Sequence, residues 1–167
     1  MSDTSEGTGL YAHSDTLKGL AEQLIPNYHP ELATARICYL FLDKEIKSGN
    51  SALAGKAYKV SGKWEFLTNY DFIIEVSLPF WREASEERRK AIMDHLLEYC
   101  FGEEDEKSGE VKWVIRKPDL VEFSTVVSRN GAWNDSVENF VTLAQDLDVT
   151  GIIDSTVSEE TDLTVEE

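Results

Sequence analysis

SEERRKAIMDHLLEYCFG, residues 85–102, is the stretch on which the reading of this chain turns. It predicts one amphipathic helix. Ser85 is a good cap, Glu86 and Glu87 suit the positive N-terminal end of a helix, and Gly102 is a natural stop. Ile92, Leu96, Tyr99 and Cys100 recur at helical spacing, so that face is expected to be buried. His95 precedes Tyr99 by one turn and is expected near the same face.

Before this helix, Asp15 to Ile25 predicts a first helix with Leu17, Leu20, Ala21 and Leu24 as its stripe, stopped by Pro26. His29 follows in a turn between Tyr28 and Pro30. Residues 35–42 are a nearly continuous apolar run of strand length, which suggests a central strand covered on both faces. Lys44 to Gly55 reads as a polar loop and Lys56 to Ser61 as a short strand. Trp64 to Tyr70 reads as a short helix or turn packing two aromatics. Asp71 to Leu78 is a strand rich in β-branched residues, and Pro79 begins a helical turn carrying Phe80 and Trp81. Beyond the opening helix come a charged turn (Glu103 to Glu110), a strand (Val111 to Ile115) and a helix from Pro118 to about Gly131. That helix is expected to turn Leu120, Val121, Phe123, Ser124 and Val127 inward. A last helix is capped by Asn134 or Asp135.

With 167 residues, 41% of them hydrophobic and 10% aromatic, one globular domain is expected. Its bounds are 15–146, preceded by a flexible segment over 1–14 and followed by an acidic, disordered tail over 147–167. No apolar run approaches the roughly 20 residues that span a bilayer, and no signal-peptide core is visible, so a cytoplasmic protein away from membranes is expected. Cys38 and Cys100 lie in apolar stretches and read as buried free thiols.

The formal charge is −16, from 32 acidic against 16 basic residues. That disfavours direct nucleic-acid binding, which needs Lys and Arg to neutralise phosphates. It suits a basic protein surface, including one that normally holds DNA. The last basic residue is Arg129, and ten acidic residues follow it. No Gly-rich phosphate loop and no Ser-His-Asp set is readable. Arg88, Arg89 and Lys90 form a solvated basic turn.

A zinc-hydrolase helix of the His-Glu-x-x-His type sets two histidines at i and i+4 with a glutamate beside the first. Residues 85–102 keep that spacing while changing the residues. Other stretches agree: Leu24 to Leu32 (LIPNYHPEL), Ile37 to Phe41, Gly55-Lys56-Ala57, Tyr70 to Glu75, Asp94-His95, Lys112-Trp113, Ile115-Arg116-Lys117, Glu122-Phe123 and Gly131-Ala132-Trp133. In these the chain resembles the putative phage metallopeptidase family, over roughly residues 16–140. The resemblance implies an α+β fold: a small zincin-like domain with a three- to four-stranded, mostly antiparallel sheet packed against a central motif helix, and additional C-terminal helices. It also implies a motif Asp-His-Glu-Leu-x-His-Cys with a further histidine downstream. Laid onto this chain, the first histidine is His95. Leu96 stands at the glutamate, Tyr99 at the second histidine and Pro118 at the downstream histidine.

A catalytic zinc takes three protein ligands and a water whose proton passes to a base. Leucine and proline supply neither. The expectation is therefore a non-enzymatic binding protein without a cofactor, whose partner is a host protein with a basic surface, such as a nucleic-acid-binding or anti-phage defence protein. Binding candidates are Glu103, Glu104, Asp105, Glu106, Asp135, Glu138, Asp146 and Asp148. One alternative is a metal-dependent hydrolase with a zinc site rebuilt around His95, drawing on Glu98, Glu103 to Asp105 and His29. Another is a virion or assembly component.

Overall fold

The computed structural model describes residues 9–121 and 123–147. Of these, 45% are helical and 26% lie in strands. Contacts divide the chain into two compact units, 1–117 and 118–167, where the composition had suggested one domain over 15–146.

The first unit is organised on a four-stranded sheet of order β1-β2-β6-β5. Strand β2 (Ile37–Leu42) lies parallel to β6 (Phe72–Ser77), with Ile37 opposite Phe72. The edge strands β1 (Tyr11–His13) and β5 (Gly55–Lys59) run antiparallel to their neighbours. Both central strands are the apolar runs of the sequence. Along β6, Phe72, Ile74 and Val76 alternate onto the core face, as a strand's period of two requires. Tyr11–His13 belong to the sheet and not to a flexible lead-in, because their backbone groups complete the open edge of β2.

Helix α1 (Asp15–Tyr28) is capped by Ser14, whose hydroxyl accepts from the Leu17 N–H at 3.1 Å. Its stripe Leu17, Ala21 and Leu24 is buried as expected. The helix does not stop at Pro26. Proline forfeits only its own N–H bond, and the His29 N–H still closes the last turn on the Ile25 carbonyl at 2.9 Å. A 3₁₀ turn, Pro30–Leu32, then leads into β2.

Residues 44–55 are no loop. They form a hairpin of β3 (Ile46–Ser48) and β4 (Ser51–Leu53) around Gly49 and Asn50, with Gly49 at φ 59°. Helix α2 (Lys63–Thr68) leaves Trp64 and Phe66 exposed, so it does not bury the aromatics assigned to it.

Helix α3 (Leu78–Glu83) buries Trp81 edge-on against Phe41. It is joined to α4 (Glu86–Glu98) by Arg89, which lies over the Trp81 ring and donates from Nε to the Trp81 carbonyl at 2.9 Å. Helix α4 ends at Glu98, four residues short of Gly102. The chain after it becomes β7 (Cys100–Glu104), paired antiparallel with β8 (Val111–Ile115). Gly102 is a strand residue opposite Trp113, and a Cβ there would stand 2.7 Å from the Trp113 ring. The bare glycine lets that indole lie flat across the hairpin and reach Phe72 edge-on, at 5.7 Å between centroids. Trp113 thereby fastens the hairpin to the core.

The second unit contains α5 (Ser124–Asn130) and α6 (Asp135–Leu147). Pro118 does not start a helix, and Val121 and Phe123 are exposed instead of facing inward. Among the described residues no helix is long and apolar enough to cross a membrane. The acidic segment from 148 onward lies outside the described residues.

Candidate functional site

Helix α4 carries His95 and Leu96, with Tyr99 as its C-cap. Ser85 caps it, accepting from the Arg88 N–H at 3.2 Å, and Glu86 and Glu87 occupy its first turn. Its buried side chains are Ile92, Met93, Leu96 and Leu97, which pack with α1 and the sheet.

His95 points away from this face. It is exposed, and its ring lies edge-on to Tyr99 at 5.2 Å, with an interplanar angle of 85°. Tyr99 is half-buried at the C-cap and does not join the buried stripe. The physical reason is the phase of the helix: Ile92, Met93, Leu96 and Leu97 define the inward face, and at about 100° per residue His95 and Tyr99 lie off its centre. Leu96 is 2% exposed. It lies against β5 so closely that a Cβ on Gly55 would meet Leu96 Cδ1 at 2.8 Å and the Glu75 carbonyl oxygen at 2.5 Å. Pro118 is exposed and opens the second unit.

On a neighbouring face of α4, Asp94 and Glu98 stand one turn apart and address His29. The His29 ring is 1% exposed; its Nε2 lies 2.7 Å from Asp94 Oδ1 and its Nδ1 lies 3.4 Å from Glu98 Oε2. Asp94 and Glu98 remain at the surface of α4 and from there reach the end of α1. Arg116 at the end of β8 ion-pairs with Glu98, donates from Nε to the Glu98 carbonyl at 3.1 Å, and covers the Phe101 ring. This guanidinium also suits the negative C-terminal end of α4. Sequence reasoning had placed His29 only as a neighbour of a rebuilt metal site. The Asp94–His29 spacing of 65 residues offers no local signal.

The acidic candidates fall in two places. Glu103 and Glu104 are exposed on β7, and Asp105 and Glu106 form the turn after it. Asp105 accepts from the N–H groups of Lys107 and Ser108 at 2.8 and 2.9 Å, and these bonds hold its carboxyl below the ordinary carboxylate range. Asp135, Glu138 and Asp146 are exposed on α6. Asp148 lies outside the described residues.

Both cysteines are free and buried. Burial pushes the Cys100 thiol up to about 12 and also raises Cys38, making both poor nucleophiles.

The family described as putative phage metallopeptidase matches residues 10–145. The chain belongs to that family. No curated protein and no solved structure matches it.

Membership in a metallopeptidase family implies a metal, and the donor chemistry here does not fit one. Among the described residues no three His, Cys, Asp or Glu side chains are grouped to hold an ion. At the motif positions one imidazole faces solvent beside a tyrosine, and an aliphatic side chain fills the space beneath β5. Asp94 and Glu98 are engaged with His29, and Glu98 also with Arg116.

Proposed function

We propose that this member of the phage metallopeptidase family is catalytically silent and acts by binding a host protein with a basic surface. On this reading it occupies, in the bacterial cytosol, a groove that normally holds nucleic acid.

Leu96 carries the reading. In the family's motif its position belongs to the glutamate that takes the proton of the metal-bound water. Here the side chain is buried against Gly55, facing strand backbone in place of an open cleft. An ionised glutamate at that point would be desolvated beside the Glu75 carbonyl without a cation. Tyr99 and Pro118 at the other two positions point the same way. The charge of −16 supplies a positive reason for binding: a strongly acidic surface steers association with a basic one, and salt screens that steering.

Two measurements test the proposal together. Untagged protein should carry no stoichiometric zinc, manganese or iron and should leave peptide substrates uncut. It should also retain a specific host protein from bacterial lysate at low salt and release it as salt rises. Stoichiometric metal with hydrolysis, or the recovery of no partner at low salt, would refute it.

A further inference from the structure

Helix α6 has an apolar face wider than the part it buries. Val137 is 2% exposed, whereas Phe140, Leu143 and Leu147 are 57%, 65% and 64% exposed. These three recur at i, i+3 and i+7, so they form one stripe along the helix. At the N-terminal end of the same helix, Asp119, Leu120, Val121, Trp133 and Asp135 line a surface groove. Three large apolar side chains in register are the pattern of a helix that lies in another protein's groove.

The charges around the stripe select its occupant. Over residues 135–147 the chain carries no Lys or Arg, and at about 100° per residue Asp135 and Asp146 border the stripe while Glu138 lies on the opposite face. A second copy would set the same two carboxylates against these, so self-pairing brings like charges together. The chain's own residues 148–167 carry seven more acidic residues and no basic one, which disfavours them as a cover for the same reason. A groove with an apolar floor and a rim of Lys and Arg matches both the stripe and its borders.

We propose that the Phe140–Leu143–Leu147 stripe of α6 is the docking element of this protein and seats in an apolar groove with a basic rim on the partner. The inference rests on the protein-binding reading above and names the surface that performs it. The aliphatic and aromatic anchors supply the affinity, and the flanking carboxylates supply orientation and the salt dependence. Of the two acidic regions among the binding candidates, this selects the last helix over the turn at Glu103–Glu106.

The test places the photo-crosslinker p-benzoylphenylalanine at Leu143 of the full chain and irradiates it in bacterial lysate at low salt. The captured protein is identified, purified and titrated against the unmodified chain and against Phe140→Ala and Leu143→Ala. Each truncation should weaken binding at least about tenfold and leave the far-UV circular dichroism unchanged, since both side chains are exposed. Capture only within the same chain, capture of a second copy, or no capture at all would overturn the inference. So would unchanged affinity of the double variant. If binding survives both truncations but fails on charge reversal at Glu103–Glu106, this surface is wrong and the protein-binding reading stands. Stoichiometric zinc with hydrolysis would remove the reading itself.

Discussion

His29 Nε2 and Asp94 Oδ1 lie 2.7 Å apart, and through that contact a fully buried imidazole at the end of α1 is held by a half-exposed carboxylate of α4. The two helices carry the core stripes Leu17, Ala21, Leu24 and Ile92, Met93, Leu96, Leu97, so the bond helps to fix their relative position in the core. Replacing Asp94 by alanine leaves the buried ring nitrogen without its closest partner. An unsatisfied buried polar group costs about 1–3 kcal/mol, and urea unfolding should show a loss in that range. Glu98→Ala, which removes a longer contact from a more exposed carboxylate, should cost less than about 1 kcal/mol. Equal effects would mean that the imidazole is shared evenly.

Asp71 provides the acid limb of stability. It is 2% exposed, and it accepts from the Arg36 N–H at 2.8 Å, Nε at 3.0 Å and Nη2 at 2.6 Å. Burial alone would raise its carboxyl, but the bonds from Arg36 outweigh that and hold it below the ordinary value. A carboxylate depressed in the folded state stabilises above its unfolded value, near about 4, and loses that contribution as pH falls through the folded one. The urea midpoint should therefore decline on acidification below about pH 4. Asp71→Asn should start lower at neutral pH and decline less over that interval.

Glu75 works in the opposite sense. It sits on central strand β6 between Leu40 and Lys56, and burial raises its carboxyl despite the nearby Lys56 and Lys44. A carboxyl raised by folding binds its proton more tightly in the native state, so its contribution falls as pH rises past the unfolded value. Glu75→Gln should stabilise the protein at pH 7 by up to about 1 kcal/mol. The gain should vanish at pH values where both states are protonated. A destabilised variant at pH 7 would show that the Lys56 attraction dominates.

Cys38 and Cys100 should resist alkylation in the folded state. Their burial raises both thiols, Cys100 to about 12, so little thiolate exists at pH 8 and access is blocked. Iodoacetamide followed by mass spectrometry should find both unmodified in native protein and both labelled in urea. Rapid labelling of Cys100 alone would mean that β7 opens away from α4.

Much of the fold was written locally. The apolar runs at 37–42 and 72–77 are strands because no amphipathic helix has that composition and length, and Ser85 and Asn134 sit where helices begin. The 3.6-residue period of Leu17, Ala21 and Leu24 required a buried face. The Gly49-Asn50 hairpin was legible in principle, since Gly-Asn between short strands is a turn signal.

Three features depended on contacts between distant segments. Helix α4 stops at Glu98 because Cys100 to Glu104 pair with Val111 to Ile115, and a strand partner's backbone hydrogen bonds outbid a helical pattern running to Gly102. His95 faces solvent because α4 turns the face carrying Ile92, Met93, Leu96 and Leu97 onto α1 and the sheet. His29 and Asp94 meet only because α1 and α4 pack together. Periodicity, caps and charge are properties of neighbouring residues, so the sequence by itself determined the two central strands, the buried stripe of α1, the start of α4, the acidic character and the family. Where a helix ends against a strand, and which carboxylate receives a buried imidazole, depend on free energies of contact between segments far apart in the chain. Those only the tertiary structure decided.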